Sequence, residues 1–219
     1  MHIEYEARAL EINKDDIIKK LEKLGAKKVA DFDYKRRVYN FNPPQDTKWI
    51  RLRTDGKKTT LAIKKIEDFT INGTREMEIE VSDFEETNRI LIELGYNPHT
   101  YQESKRTRYL LNDIEVDIDT WPYIPTYMEV EGKCEEDVNK TFELLGIDKN
   151  KITTIDVQGV FKEFYNIDIA KISEVKFGEK LDEKCHLKNN WQHIRTTPKL
   201  LLGGIRRKNN VRKEITIWW

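Results

Sequence analysis

The chain is poor in cysteine, and that lack removes a whole class of folds. Its 219 residues include two cysteines, Cys134 and Cys185, too few for a disulfide-stapled scaffold. Long apolar runs are missing as well. No stretch reaches the ~20 apolar residues of a membrane-spanning helix, and no signal-peptide pattern opens the sequence. The expectation is a cytoplasmic protein with no membrane partner. Apolar residues are also scarce for the length, at 38% against 36% charged. The charge must then coat a very polar exterior or lie partly inside a polar cavity. Neither sign is in excess, with 39 Lys and Arg against 39 Asp and Glu. The balance is nevertheless uneven along the chain. Residues 176–219 hold eleven Lys and Arg against four Asp and Glu, a net +7, which leaves −7 on the preceding 175 residues. This break divides the chain into a domain over 1–175 and a basic extension over 176–219.

What the domain does contain is short alternating segments. The sequence predicts strands over 2–10, 26–41, 49–53, 59–64, 75–81, 101–111, 114–120 and 126–132. Pro43 and Pro44 are expected to end the second of these. Asp55-Gly56 and Asn72-Gly73 are hairpin and turn signals. Four helices are expected. The first is capped by Asn13, carries Asp15 and Asp16 in its first turn and stops at Gly25. The second opens on a capping box, Ser82-Asp83-Phe84-Glu85, and stops at Gly95. The others span 135–145 and 155–165. Short links imply antiparallel pairing, and the ending Leu-Gly occurs twice, at Leu94-Gly95 and Leu145-Gly146.

Side chains alternate between the faces of a strand, so each predicted strand can be read for its charged face. The first offers Glu4, Glu6 and Arg8, with Ile3, Tyr5 and Ala7 opposite. The others offer Arg51 and Arg53; Lys64; Glu76, Glu78 and Glu80; Arg106 and Arg108; Glu115, Asp117 and Asp119; and Glu129 and Glu131. A half-exposed antiparallel sheet with helices on its apolar side is the ordinary reading of such alternation. Two features point elsewhere. The charges are segregated by strand into acidic and basic sets, and eight strands are many for an open sheet. A closed sheet with its apolar face outward would enclose the charged face as a tunnel. Carboxylates there suit Mg²⁺ or Mn²⁺, which take oxygen ligands. Arg and Lys suit phosphate oxygens.

Glu4-x-Glu6-x-Arg8 resembles the N-terminal ExExK signature of the CYTH, or triphosphate tunnel metalloenzyme, superfamily, which includes class IV adenylyl cyclases, thiamine triphosphatases and inorganic triphosphatases. The resemblance continues through Arg51-Leu52-Arg53, Ile63-Lys64, Glu78-Ile79-Glu80, Arg106-x-x-Tyr109, Asp119 and Glu129-Val130-Glu131, over roughly residues 1–170. It implies an α+β fold, an eight-stranded antiparallel closed β-tunnel with helices packed outside. It also implies a divalent-metal-dependent enzyme acting on a triphosphate, either as a class IV cyclase-like lyase or as a triphosphatase. Glu4, Glu6, Asp119, Glu129 and Glu131 would then ligate metal. Arg8, Arg51, Arg53, Lys64, Arg106 and Arg108 would hold phosphate, and Lys64, Glu78 and Glu80 are the expected catalytic set. A module that binds polyphosphate without turnover is the alternative, but it would have no need of the acidic set.

Two departures from the family pattern stand out. Arg8 takes the place of a lysine. Lys35 and Arg37 precede Tyr39 where relatives often carry Gln and Asp, which is expected to make that part of the tunnel more basic. The extension from 176 has no counterpart in the family. Its Trp191, Trp218, Trp219 and Arg206-Arg207-Lys208 form a basic-aromatic composition that can bind nucleic acid, although such runs are ordinarily solvated. Its charge would also let it dock on the acidic domain of its own chain or on that of a second copy, as in a homodimer.

Overall fold

The computed structural model describes residues 1–181. The chain forms β1 (His2–Ala9), α1 (Lys14–Lys23), β2 (Lys27–Gln45), β3 (Lys48–Thr54), β4 (Thr59–Ile66), β5 (Thr74–Val81), α2 (Phe84–Glu93), β6 (Pro98–Leu111), β7 (Ile114–Thr120), β8 (Tyr127–Gly132) and α3 (Glu135–Leu144). Short elements follow: β9 (Ile152–Thr153), α4 (Val157–Gly159) running into a π-helical turn (Val160–Phe164), and β10 (Glu174–Val175). The basic extension falls outside the described residues from position 182 onward, and Cys185 and the three C-terminal tryptophans fall there with it. No helix among the described residues is long and apolar enough to cross a membrane.

Eight strands pair in the order β6-β2-β3-β4-β5-β1-β8-β7, and β7 returns to β6 to close the ring. Every contact around it is antiparallel. The sealing register runs from Leu111↔Ile114 to Lys105↔Thr120. Closure leaves no free edge on the ring. The two short strands lie outside it, β9 along β1 and β10 parallel to β6.

The apolar sides of the strands face outward, as the alternation required. Ala7 and Ala9 of β1, Val116 and Ile118 of β7, and Met128 and Val130 of β8 are buried against Ile17 and Leu21 of α1 and Val138 and Phe142 of α3. A fully buried side chain of this size contributes about 1.5–3 kcal/mol. A second cluster packs Tyr39, Ile50 and Leu52 under Leu91 of α2. A third gathers Leu10, Trp121 and Tyr127 with Val160, Phe161 and Ile169. The cover is not complete, because Met77 and Ile79 on the outer face of β5 are about half exposed.

Helix ends follow local chemistry. The Asn13 side chain accepts from the Asp16 N–H at 3.1 Å. At α2 the cap is Asp83, which accepts from the Glu86 N–H at 2.7 Å, so the box starts one residue later than the Ser82-based pattern suggested. Gly25 and Gly95 end their helices at φ +80° and +89°, a left-handed conformation that glycine adopts at least cost. Two further expectations are corrected. β2 does not stop at the prolines but continues to Gln45. Pro43 and Pro44 lie inside the break in register between Asn40 and Gln45, where no ladder N–H is needed. The helix expected from residue 155 begins at Val157, because Asp156 caps it by accepting from the Gln158 and Gly159 N–H groups.

Tyr39 joins β2 to α2 through its buried hydroxyl, which donates to Asn88 Oδ1 at 2.9 Å. Tyr39→Phe is expected to cost about 1–3 kcal/mol, the penalty for a buried acceptor left without a donor, read as a lower urea midpoint. An unchanged midpoint would show that α2 is held by its apolar contacts alone.

Candidate active site

The inner faces of the eight strands line a cavity of about 870 Å³, and its charge is divided by wall. Four consecutive strands, β6-β2-β3-β4, present Arg106 and Arg108, Arg36, Arg51 and Arg53, and Lys64. The other four, β5-β1-β8-β7, present Glu76 and Glu78, Glu4 and Glu6, Glu129 and Glu131, and Glu115. Arg8 of β1 is the one cation set within the acidic half. The segment after β9 adds Asp156, Gln158, Lys162 and Ile169 to the lining.

The two walls neutralise each other. Lys64 Nζ lies 2.9 Å from Glu4 and 3.8 Å from Glu76. Arg51 bridges Glu76 and Glu78, each at 2.8 Å, and Arg53 reaches Glu78 at 3.5 Å. Arg106 contacts Asp117, Asp119 at 2.6 Å and Glu129 at 2.9 Å. Arg108 pairs with Glu115 at 2.6 Å and Asp117 at 2.7 Å. Arg8 holds Glu6 at 3.0 Å and Glu129 at 2.6 Å, and it donates to the Ile155 carbonyl.

Burial and these pairs set the protonation states. Burial opposes charge on Lys64, but Glu6, Glu4 and Glu76 around it raise its pKa, so it stays an ammonium. Burial pushes Glu4 up to about 9 despite Lys64. Burial also opposes ionisation of Glu76, yet Lys64 and Arg51 hold it down at about 2. In the same way Arg8 and Arg106 overcome burial and hold Glu129 well below the usual carboxylate range. Glu131 differs from these. Among the described residues no cation lies within 4 Å of it, and burial together with Glu129 and Glu6 pushes it to about 7.

The structure brings most of the residues singled out in the sequence to this cavity: Glu4, Glu6, Arg8, Arg51, Arg53, Lys64, Glu78, Arg106, Arg108, Glu129 and Glu131 all line it. Asp119 shares the inner face but lies beneath Arg106, with both oxygens engaged by that guanidinium. Glu80 is two positions beyond Glu78 and largely exposed, 3.1 Å from Lys58, and it does not line the cavity.

The reading of β2 needs correction. Lys35 and Arg37 face outward, where Arg37 meets Glu85 of α2 at 3.2 Å. The inward residue is Arg36, which sequence reasoning missed. The signal was available in Tyr39, whose apolar ring belongs on the outer face together with every odd position of the strand. Trp121, Tyr127 and His99 were missed too; they come from strand ends and a loop, where alternation carries no information.

Glu4, Glu6, Glu129 and Glu131 are oxygen donors on adjacent strands, paired across the ladder as Glu6↔Glu131. As they stand, no three His, Cys, Asp or Glu side chains among the described residues converge on one metal position, because three of these four carboxylates are turned to Lys64, Arg8 or Arg106. The donor type fits a hard divalent cation, and Glu131, raised by burial and by neighbouring carboxylates, is a carboxylate such an ion would relieve.

This gives a test by stability. An acid whose folded pKa is raised adds stability that is full below its unfolded pKa and lost as pH rises through the folded one. For Glu131 that window runs from about 4.5 to about 7. Glu131→Gln is therefore expected to raise Tm at pH 8 and to leave it near the wild type at pH 4.5. Added Mn²⁺ at pH 8 should stabilise the wild type more than the variant. An equal Mn²⁺ shift in both would place the ion away from Glu131.

Comparison with known proteins agrees with the fold. A family model, the CYTH domain, matches residues 2–155. No curated protein matches the chain. Among solved structures, PH1012 protein from Pyrococcus horikoshii is similar at 22% identity and TM-score 0.62, covering 70% of this chain and 96% of that one. A candidate adenylate cyclase from Vibrio parahaemolyticus aligns at 11% identity and TM-score 0.65, over 74% of this chain and 98% of its own. A candidate adenylyl cyclase from Hippeastrum, HpAC1, described as having a dominant triphosphatase activity, aligns at 14% identity and TM-score 0.52, over 75% and 96%. With the model spanning the closed ring and reaching Ile155, whose carbonyl accepts from Arg8, the chain belongs to the CYTH domain family.

Proposed function

We propose that this protein is a divalent-metal-dependent enzyme that hydrolyses a triphosphate held in the tunnel. The observation that supports the reading most is the split of one enclosed cavity into a basic and an acidic half. A triphosphate with its metal carries both signs of charge in one compact body and matches both halves at once. A binder of bare polyphosphate would use only the basic wall.

In the resting tunnel the carboxylates serve as internal counterions. A substrate's phosphate oxygens would replace them on Arg51, Arg53, Arg106 and Arg108, and arginine can meet such oxygens with two parallel N–H groups. The released carboxylates Glu4, Glu6, Glu129 and Glu131 would hold Mg²⁺ or Mn²⁺, with Asp119 steadying Arg106 beneath them. When bound, the ion supplies Lewis acidity to the phosphate oxygens and lowers the pKa of the attacking water. Lys64 stays charged and offsets negative charge that builds up during transfer. Glu78, freed when Arg51 and Arg53 turn to phosphate, would accept the water's proton. Glu80 is too far out on β5 to share this role. Catalysis in this scheme is positioning plus preformed charge.

A second reading, an adenylate cyclase, uses the same cage but has the ribose 3′-hydroxyl attack the α-phosphorus. The candidate adenylate cyclases of the same fold favour it, whereas the triphosphatase activity described for HpAC1 favours hydrolysis. Incubation with ATP, tripolyphosphate and thiamine triphosphate plus Mg²⁺ or Mn²⁺ separates the two. Orthophosphate release is the expected outcome; cyclic AMP with pyrophosphate would establish the cyclase, and no product from any of the three would leave a binding module.

Two variants test the walls. Glu6→Gln is expected to abolish turnover with the fold intact, because it removes charge and keeps shape; full activity at saturating metal would remove Glu6 from the site. Arg53→Ala is expected to weaken tripolyphosphate binding roughly ten- to hundred-fold, since a charge-assisted contact is worth about 1.5–3 kcal/mol. Equal affinities in calorimetry would show that Arg53 does not touch the ligand.

A further inference from the structure

Arg36 is the exception among the arginines that line the tunnel. It is 9% exposed, and among the described residues no carboxylate lies within 4 Å of its guanidinium, whereas Arg51, Arg53, Arg106, Arg108 and Lys64 each have at least one. Its one side-chain hydrogen bond goes from Nη2 to Ser104 Oγ at 2.8 Å. Its guanidinium stands 4.4 Å over the Trp121 ring, which fixes the plane of the fork and adds cation–π attraction. Its Nε is buried without a partner.

Its surroundings are cationic as well. Across the ladder Arg36 faces Arg53, whose own carboxylate is the long 3.5 Å contact to Glu78. Burial first, and then Arg53 and Arg51, lower the pKa of Arg36 to about 9. β2 is four strands from β1 in either direction around the ring, so Arg36 stands on the wall opposite Glu4 and Glu6, the residues that neutralise Lys64 and Arg8. A buried, oriented guanidinium without a counterion destabilises the ligand-free protein. Such a group becomes favourable when an anion arrives that brings more negative charge than the wall already balances.

We propose that Arg36, with Arg53 across the ladder, is the receptor for the terminal phosphoryl group of the substrate, and that it selects polyphosphates with a free, doubly ionisable end over those esterified at both ends. This deepens the hydrolase reading and rests on it. An internal or esterified phosphoryl group carries one ionisable oxygen, which Arg53 alone can answer. A free terminal group carries two, and the second needs the unmatched fork of Arg36. The ligand class is an inorganic polyphosphate or a nucleotide with an unblocked terminal phosphate.

The test compares wild type, Arg36→Gln, Arg36→Lys and the outward-facing Arg37→Gln by calorimetry with tripolyphosphate and with a dinucleoside triphosphate, whose ends are both blocked. Arg36→Gln should lose at least tenfold in tripolyphosphate affinity and change little towards the blocked ligand. Arg36→Lys should lose less, and Arg37→Gln should match the wild type. A second readout separates binding from structure: without ligand, Arg36→Gln should be more stable than the wild type, because it removes an uncompensated buried charge and can still donate to Ser104. If that variant does not fold, the role of Arg36 is structural and the proposal fails. Unchanged tripolyphosphate affinity in Arg36→Gln, or an equal loss for both ligands, would also overturn it while the hydrolase reading stands. Absence of tripolyphosphate binding by the wild type would overturn the proposal, and the hydrolase reading would fall as well only if none of ATP, tripolyphosphate and thiamine triphosphate were turned over.

Discussion

Everything in this molecule depends on the pairing of β6 with β7. Without those bonds the eight strands would form a twisted open sheet with one apolar face under helices and one charged face in water. With them the charged face is enclosed. The same residues that would have been solvated surface then become the walls of a cavity, where water no longer screens their interactions. The sealing register also determines chemistry directly, because it sets Arg106 across from Asp119 and Arg108 across from Asp117. The join between the basic and acidic halves on that side of the ring is therefore made by the closing ladder itself.

Enclosing so many charges is costly unless each finds a partner. The tunnel meets this by giving each half of the ring one sign and letting side chains reach across. Lys64 leans to Glu4, Arg51 to Glu76 and Glu78, and Arg106 to a cluster of three carboxylates. An arrangement of this kind can exchange partners, because each ion pair is made by side chains alone and can open without breaking a strand. The exceptions are the informative ones. Among the described residues no cation lies within 4 Å of Glu131 and no carboxylate within 4 Å of Arg36, so the tunnel has an unmet demand of each sign. A ligand that is itself part cation and part anion satisfies both.

Outside the cavity the same alternation builds the support. The outward residues of β1, β7 and β8 are apolar and pack against α1 and α3, so the strands bearing Glu4, Glu6, Arg8 and Glu129 are held by apolar packing on the face opposite their charges. On the other side Tyr39 and Asn88 hold α2 over β2 and β3, which fixes the face on which Arg36 points inward. Positioning of the site and stability of the fold are thus opposite faces of single strands.

Period-two alternation was enough to assign nearly every inward residue, because on a strand the face of one side chain determines the face of all the others. It also separated acidic from basic strands, while cap and turn residues marked the helix starts at Asn13 and near Asp83; the limits of β2 and β6 were missed, since the pairing that extends them is not local. It failed at Lys35-Arg36-Arg37, where three consecutive cations carry no alternation and only the packing of Tyr39 reveals the parity. It failed again at Glu80 and Asp119, which share the inner face but are removed from the cavity by position along the strand and by the guanidinium above. Closure itself was not written in any one segment. Which strands become neighbours, and hence which carboxylate meets which arginine, depends on contacts between residues far apart in the chain, and local patterns of charge and hydrophobicity carry no term for those. The sequence by itself determined the two faces of each strand; only the tertiary structure decided that one of them would be an interior.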